Sequence, residues 1–195
     1  MRQVNNMRVI SGKQKGTSLK SVPGHSTRPT TDKVKEAIFN MVGPYFNGGM
    51  MLDLYAGSGA MGIEALSRGM SKAVFVDRDR KAIETIYSNL KTVRCLEEAE
   101  VFKNEAKRAL NAIKKKERQF DLIFLDPPYA KQTLADELAF IDTHNILLQG
   151  GYIVAEHSSK VLLDNHYKTF RQTKEERYGD TSVTIFKSVA SEESI

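Results

Sequence analysis

The chain has 195 residues, a formal net charge of +5, one cysteine and four histidines. That length suits one domain around a single core, and no apolar stretch approaches the roughly 18 residues of a membrane span. Lone Cys95 excludes a disulfide framework and a thiolate metal cluster, and His25, His144, His157 and His166 show no ligand spacing, so no metal is expected.

Residues 1–20 are polar and basic, unlike a secretion signal, and the expectation is a soluble, cytoplasmic, monomeric protein. The charge is unevenly placed. The first thirty residues hold Arg2, Arg8, Lys13, Lys15, Lys20 and Arg28 without a single Asp or Glu, whereas the remainder is close to neutral. A basic head on a near-neutral body suggests contact with a polyanion; the alternative is a solvated basic tail.

In chain order, Met7 to Leu19 alternates around Gly12-Lys13-Gln14-Lys15-Gly16 and predicts a β-hairpin with two lysines at its tip. Residues 1–30 are therefore expected to form a basic hairpin extension ahead of a main domain over 31–190, with 191–195 a polar tail. Thr30 or Thr31 is a candidate N-cap for a helix whose apolar stripe is Val34, Ala37, Ile38, Met41 and Val42, stopped by Gly43-Pro44. Met50 to Tyr55 predicts a strand. The turn after it places Gly57, Gly59 and Gly62 in the G-x-G-x-x-G pattern and leads into a helix ending at Arg68-Gly69. Strand, glycine turn and helix in that order form a nucleotide-binding context, because glycine permits positive φ and close approach of backbone to ligand. A second strand, Ala73 to Val76, ends in Asp77, where an acid reaches ribose hydroxyls in folds of this kind. Asp79 is expected to cap the helix that follows.

A short strand over 100–103 precedes Glu105 and another helix, and Lys114 to Arg118 reads as a solvated charge run. Leu122 to Leu125 is an apolar run typical of a strand buried on both faces. It leads into Asp126-Pro127-Pro128-Tyr129, a stiff exit that cannot continue the ladder. That loop presents one carboxylate, the Pro127 carbonyl and the Tyr129 ring, a set suited to gripping a planar base with an exocyclic amine. A helix through Leu134, Leu138 and Ile141, a strand over 152–155, and two strands near 167–173 and 182–187 complete the chain.

Strands alternating with helices imply a parallel sheet covered on both faces, with ligands beyond the carboxyl ends of the strands. The glycine turn, Asp77, Glu105 and Asp126 each follow a strand and should gather there. Asp53, four residues before Gly57, favours S-adenosylmethionine (SAM) over a nicotinamide cofactor, and the Asp126 loop has a direct use in methylating nitrogen. If Asp126 and the Pro127 carbonyl each accept one N–H, the amine pyramidalises and its lone pair is freed. Stacking on Tyr129 is worth ~1–3 kcal/mol, and placement supplies on the order of 7–11 kcal/mol. The target base must be unstacked to enter.

Three stretches carry a resemblance over nearly the whole chain. They are Arg8-Val9-Ile10-Ser11-Gly12 with Arg28-Pro29-Thr30-Thr31-Asp32, then Leu52 to Gly69, and Asp126-Pro127-Pro128-Tyr129. The chain resembles the RsmD family, bacterial methyltransferases of 16S rRNA that act on N2 of guanine 966. The resemblance implies an α/β, Rossmann-like class I SAM-dependent methyltransferase: a seven-stranded, mostly parallel sheet with an antiparallel last strand. It implies rRNA in the assembling small subunit as substrate. It places SAM on Asp53, Tyr55, Gly57, Ser58, Gly59, Asp77, Arg78, Glu105 and Ala106, and the guanine amine on Asp126, Pro127 and Tyr129. Arg8, Lys13, Lys15 and Arg28 are the expected RNA contacts. The rivals are a DNA amino-methyltransferase, for which no insertion is long enough to recognise a target sequence, and an inactive RNA-binding protein of the same fold.

Overall fold

A computed structural model describes residues 7–24, 31–128 and 133–189. Arg28, Tyr129 and the tail from residue 190 lie outside the described residues.

Seven strands form one sheet in the order β3-β2-β1-β4-β5-β7-β6. β1 (Met50–Asp53), β2 (Lys72–Asp77), β3 (Ala99–Lys103), β4 (Phe120–Leu125) and β5 (Leu147–Ser158) pair in parallel. β7 (Thr181–Ser188) runs antiparallel to both β5 and β6 (Phe170–Tyr178). It is the one reversed strand. The strand order changes direction between β1 and β4, and that switch point opens a crevice at the carboxyl edge.

Successive strand residues point to opposite faces, so a strand covered on both sides needs an unbroken apolar run. Met51, Leu122 and Phe124 face α1 (Asp32–Val42), α2 (Ala60–Ser67) and α3 (Arg80–Val93); Leu52, Ile123 and Leu125 face α4 (Ala106–Lys115) and α5 (Leu134–Thr143). Thr31 caps α1 through Val34 N, Gly43 ends it, and Asp79 caps α3 through Lys81 N.

The amino-terminal segment pairs antiparallel, with Leu19 N bonding Met7 O at 2.7 Å and Val9 N bonding Thr17 O at 3.0 Å, and it packs onto the body. Arg8 and Ser18 form a single antiparallel bridge, and Met7, Val9 and Leu19 are buried in the α1–α3 core. The ladder stops because the amides of Ile10 and Ser11 donate instead to the Glu64 carboxylate, at 2.8 and 3.0 Å. Glu64 is fully buried and also takes the Arg68 guanidinium at 2.8 Å and the Lys35 ammonium at 3.4 Å. Burial pulls the Lys35 ammonium below its usual range, against the pull of Glu64. β6 begins three residues later than the sequence pattern suggests and extends through polar Lys174 to Arg177, which an edge strand can leave in solvent.

Candidate active site

β1 ends at Asp53, and the chain then leaves the sheet between its neighbours: Leu54 N bonds Phe124 O at 3.1 Å and Ala56 N bonds Val76 O at 3.0 Å. The turn closes through Gly59 N to Ala56 O at 2.7 Å, with φ of 53° at Gly57 and 79° at Gly59. Space over Gly57 is open in the direction a Cβ would take, which leaves its backbone approachable. Gly57 N donates to Asp77 Oδ2 at 2.8 Å, and Asp77 Oδ1 accepts Asp79 N at 2.9 Å. Asp77 thus shapes the turn, and each oxygen keeps a lone pair for a ligand hydroxyl.

Asp53 is 1% exposed. Its Oδ2 accepts Gly62 N from the first turn of α2 at 3.2 Å, while Oδ1 has no partner among the described residues. Burial pushes this carboxyl up to about 7; the Gly62 amide opposes the rise and the Asp77 charge adds to it. Asp126, directly after β4, stands two residues beyond the β4 position paired with Asp53. Burial, then the charges of Glu156 and Asp53, hold its carboxyl well above the ordinary range. Acids at the ends of β1, β2, β4 and β5 therefore interact across one edge, an environment that favours a cationic ligand. Pro127 is buried and Pro128 exposed.

Arg78 follows β2 and is exposed. Glu105 occupies the N-cap position of α4 without a side-chain cap, and Ala106 begins that helix half-buried. Asn104 N bonds Asp77 O at 3.0 Å, which draws the β3 exit, and so Glu105, to the same edge. Tyr55 is differently employed: its hydroxyl donates to Glu137 of α5, and burial together with that carboxylate raises the phenol above its usual range. Ser58 Oγ meets Met7 Sδ at 3.5 Å, and its carbonyl accepts Asn89 Nδ2 at 2.9 Å.

The basic positions are spread apart. Arg8 is paired with Asp32 at 2.9 Å. Lys13 and Lys15 are exposed on a tip held by Ser67, through Lys13 N to Ser67 O at 2.8 Å and Gln14 N to Ser67 Oγ at 3.0 Å. Ser67 closes the 8-residue α2 whose start adjoins the glycine turn, so the tip sits about 12 Å down that helix from the turn. Lys20 backbone exchanges hydrogen bonds of 2.8 and 2.9 Å with the buried Asn89 side chain. No motif of the sequence assigns a role to Glu64, Asn89 or Glu137, yet each is buried and hydrogen-bonded here. Glu64 stands between Ile63 and Ala65, Asn89 one turn from Ile86 and Val93, and Glu137 one turn from Leu134 and Ile141, so each falls on the apolar stripe of its helix, the pattern that could have exposed it.

Among the described residues no helix is long and apolar enough to cross a membrane, and no group of three or more His, Cys, Asp or Glu is arranged to hold a metal ion.

The model of the family described as "Conserved hypothetical protein 95" matches residues 7–187. A Bacillus subtilis protein named "Putative rRNA methyltransferase YlbH" is 57% identical over 93% of this chain and 98% of its own. "Ribosomal RNA small subunit methyltransferase D" of Haemophilus influenzae is 35% identical over 77% of this chain and 78% of its own. The solved structure named "Putative methyltransferase yhhF" from Escherichia coli has a TM-score of 0.80 at 26% identity, covering 94% of this chain and 98% of that one.

Proposed function

The chain belongs to the RsmD family, the one described as Conserved hypothetical protein 95, and on that premise we propose that it methylates the exocyclic N2 amine of guanine 966 in 16S rRNA of the assembling small subunit. Methylation of ribosomal RNA is the activity that its curated relatives carry by name. The observation that carries the finer reading is the meeting of Asp53, the Gly57 turn, Asp77 and Asp126 at the switch point between β1 and β4.

SAM fits these residues. It carries positive charge at its sulfonium and its ammonium, and the edge offers interacting acids, a buried Asp53 oxygen without a partner among the described residues, and open space over the Gly57 backbone. When bound, it supplies an electrophilic methyl group. Asp53 and the glycine turn would hold it, and Asp77 would accept from its ribose, with Arg78, Glu105 and Ala106 around the adenine side.

The loop after β4 handles the amine. An aromatic exocyclic nitrogen is a poor nucleophile because its lone pair is delocalised. Asp126 accepting one N–H and the Pro127 carbonyl the other would turn that lone pair out of the ring plane. Once alkylated, the nitrogen is acidic, and a carboxylate whose proton affinity is raised by burial suits receiving the proton. Tyr129 would stack on the base, while Arg8, Lys13, Lys15 and Arg28 would position RNA through its phosphates rather than specify it.

The test offers labelled SAM to small-subunit particles, naked rRNA and DNA, and identifies the methylated base by mass spectrometry. The expected product is N2-methylguanine in the particle. Label entering DNA amines would favour a DNA amino-methyltransferase instead, and a chain that binds RNA without binding SAM would favour the non-catalytic reading.

A further inference from the structure

Glu137 lies on α5, outside every motif described above, and is 6% exposed. Its Oε1 receives two hydroxyls, one from Tyr55 and one from Thr133 at 3.1 Å. Its own amide donates to Thr133 O at 2.9 Å. Its Oε2 is buried with no partner among the described residues. Tyr55 opens the glycine turn, and Thr133 stands at the end of the segment that runs from Asp126 to α5. One carboxylate therefore joins the two loops whose reactive groups must face each other.

Stability does not explain a carboxylate here. The flanking Leu134 and Leu138 are buried apolar residues, and an apolar side chain among them would avoid the cost of burying an ionisable group, one of whose oxygens has no partner among the described residues. Thr133 is the N-cap residue of α5, yet its hydroxyl makes no capping bond and turns to Glu137 instead. The near end of the Asp126 loop is held by β4, and its far end is referenced to the exit of β1 through this carboxylate.

We infer that Glu137 is a positioning residue for methyl transfer, fixing the Asp126 loop against the glycine turn through the hydroxyls of Tyr55 and Thr133. The inference rests on reading those loops as the amine site and the cofactor site. Its consequence is that the Tyr55 hydroxyl serves alignment rather than cofactor affinity, because a misplacement of about 1 Å can cost roughly 100-fold in rate.

The experiment compares Tyr55→Phe, Thr133→Val, Glu137→Ala and Glu137→Gln with the wild type, measuring kcat, SAM dissociation and amide hydrogen exchange in the first turn of α5. Tyr55→Phe and Glu137→Ala should lower kcat by about 10- to 100-fold, leave SAM affinity nearly unchanged, and speed exchange at the start of α5. Glu137→Gln keeps a carbonyl that accepts both hydroxyls and should restore most of the rate, a rescue that a merely structural role does not predict. Unchanged exchange in Tyr55→Phe overturns the inference, whatever the wild-type activity. So does a loss confined to SAM affinity, which would return Tyr55 to the cofactor. A wild type that methylates no RNA overturns the proposed function instead, while the exchange measurement still decides this link. Should Glu137→Ala fail to fold, Tyr55→Phe and Thr133→Val carry the test.

Discussion

Gly62 meets Phe75 with no room for a side chain: a Cβ on the glycine would lie 2.2 Å from the ring. That closeness sets α2 down on β2 and brings Gly62 N to Asp53. Alanine gains about 1 kcal/mol over glycine inside a helix, but overpacking costs about 1–3 kcal/mol. Gly62→Ala should therefore lower the urea midpoint and weaken SAM binding together, as α2 is levered away from Asp53. A variant with the wild-type midpoint and affinity would show that Phe75 gives way freely.

Asp126→Ala should reduce methyl transfer by at least about 100-fold, the scale for losing one oriented polar group at a reacting centre. SAM affinity should change little. Single-turnover rates and equilibrium binding separate the two, and equal loss of both would assign Asp126 to the cofactor.

The Asp53 carboxyl is raised from 3.8 to about 7 in the free protein, and Asp126 moves in the same direction. A raised carboxyl adds stability that is complete below its unfolded value, near 4, and is lost as pH rises through the folded value. Thermal stability of the free enzyme should thus fall from about pH 4 to about pH 7. A cationic ligand favours the ionised acids, so SAM should bind more tightly as pH rises through that window, with proton release. S-adenosylhomocysteine, lacking the sulfonium charge, should show a shallower trend. Calorimetry in buffers of different ionisation enthalpy measures the released protons, and none released would mean that Asp53 is already ionised.

Glu64 holds two buried cations and two backbone amides. Its removal strands Lys35 and Arg68, and breaking a buried pair costs about 3–5 kcal/mol. Glu64→Ala should show that loss in chemical denaturation and should also expose residues 8–12 to limited proteolysis. A protease pattern like that of the wild type would mean that the segment is held by its apolar residues alone.

Neutralising Lys13 and Lys15 to Gln should weaken RNA binding and reduce the slope of log affinity against log salt by about 1 to 2. Both lysines are exposed on a tip that Ser67 holds by its backbone, so the fold should be indifferent to the change. An unaltered slope would place the phosphate path elsewhere, for example along Lys20 beside α3.

What could be read before folding was local. Met50 to Gly69 announces itself because an apolar run, a glycine turn and an amphipathic stop are adjacent, and Leu122 to Pro128 does so because two prolines must end a strand. What escaped was long-range. Nothing near Tyr55 shows that its hydroxyl is spent on Glu137, which is 82 residues away. Glu64, Lys35 and Arg68 look like solvent-facing charges until three helix and segment positions are superposed. β6 starts at Phe170 rather than near residue 167, and its start is hard to read because an edge strand carries little apolar signal: Phe170 anchors it, and the polar residues that follow are tied by backbone bonds to β7.

The seat of β7 between β5 and β6 bears on how the molecule is made. As the chain leaves the ribosome, β6 emerges with neither edge satisfied, since the strand that joins it to β5 has yet to be synthesised. Until then, Phe170 and the α1-facing side of β5 lack the cover that Phe186, Val183 and Ile185 provide. The β3-β2-β1-β4-β5 part of the sheet can assemble vectorially, whereas β6 must wait for the single closing insertion of β7. A nascent enzyme of this design should therefore depend on chaperone shielding late in its synthesis rather than early.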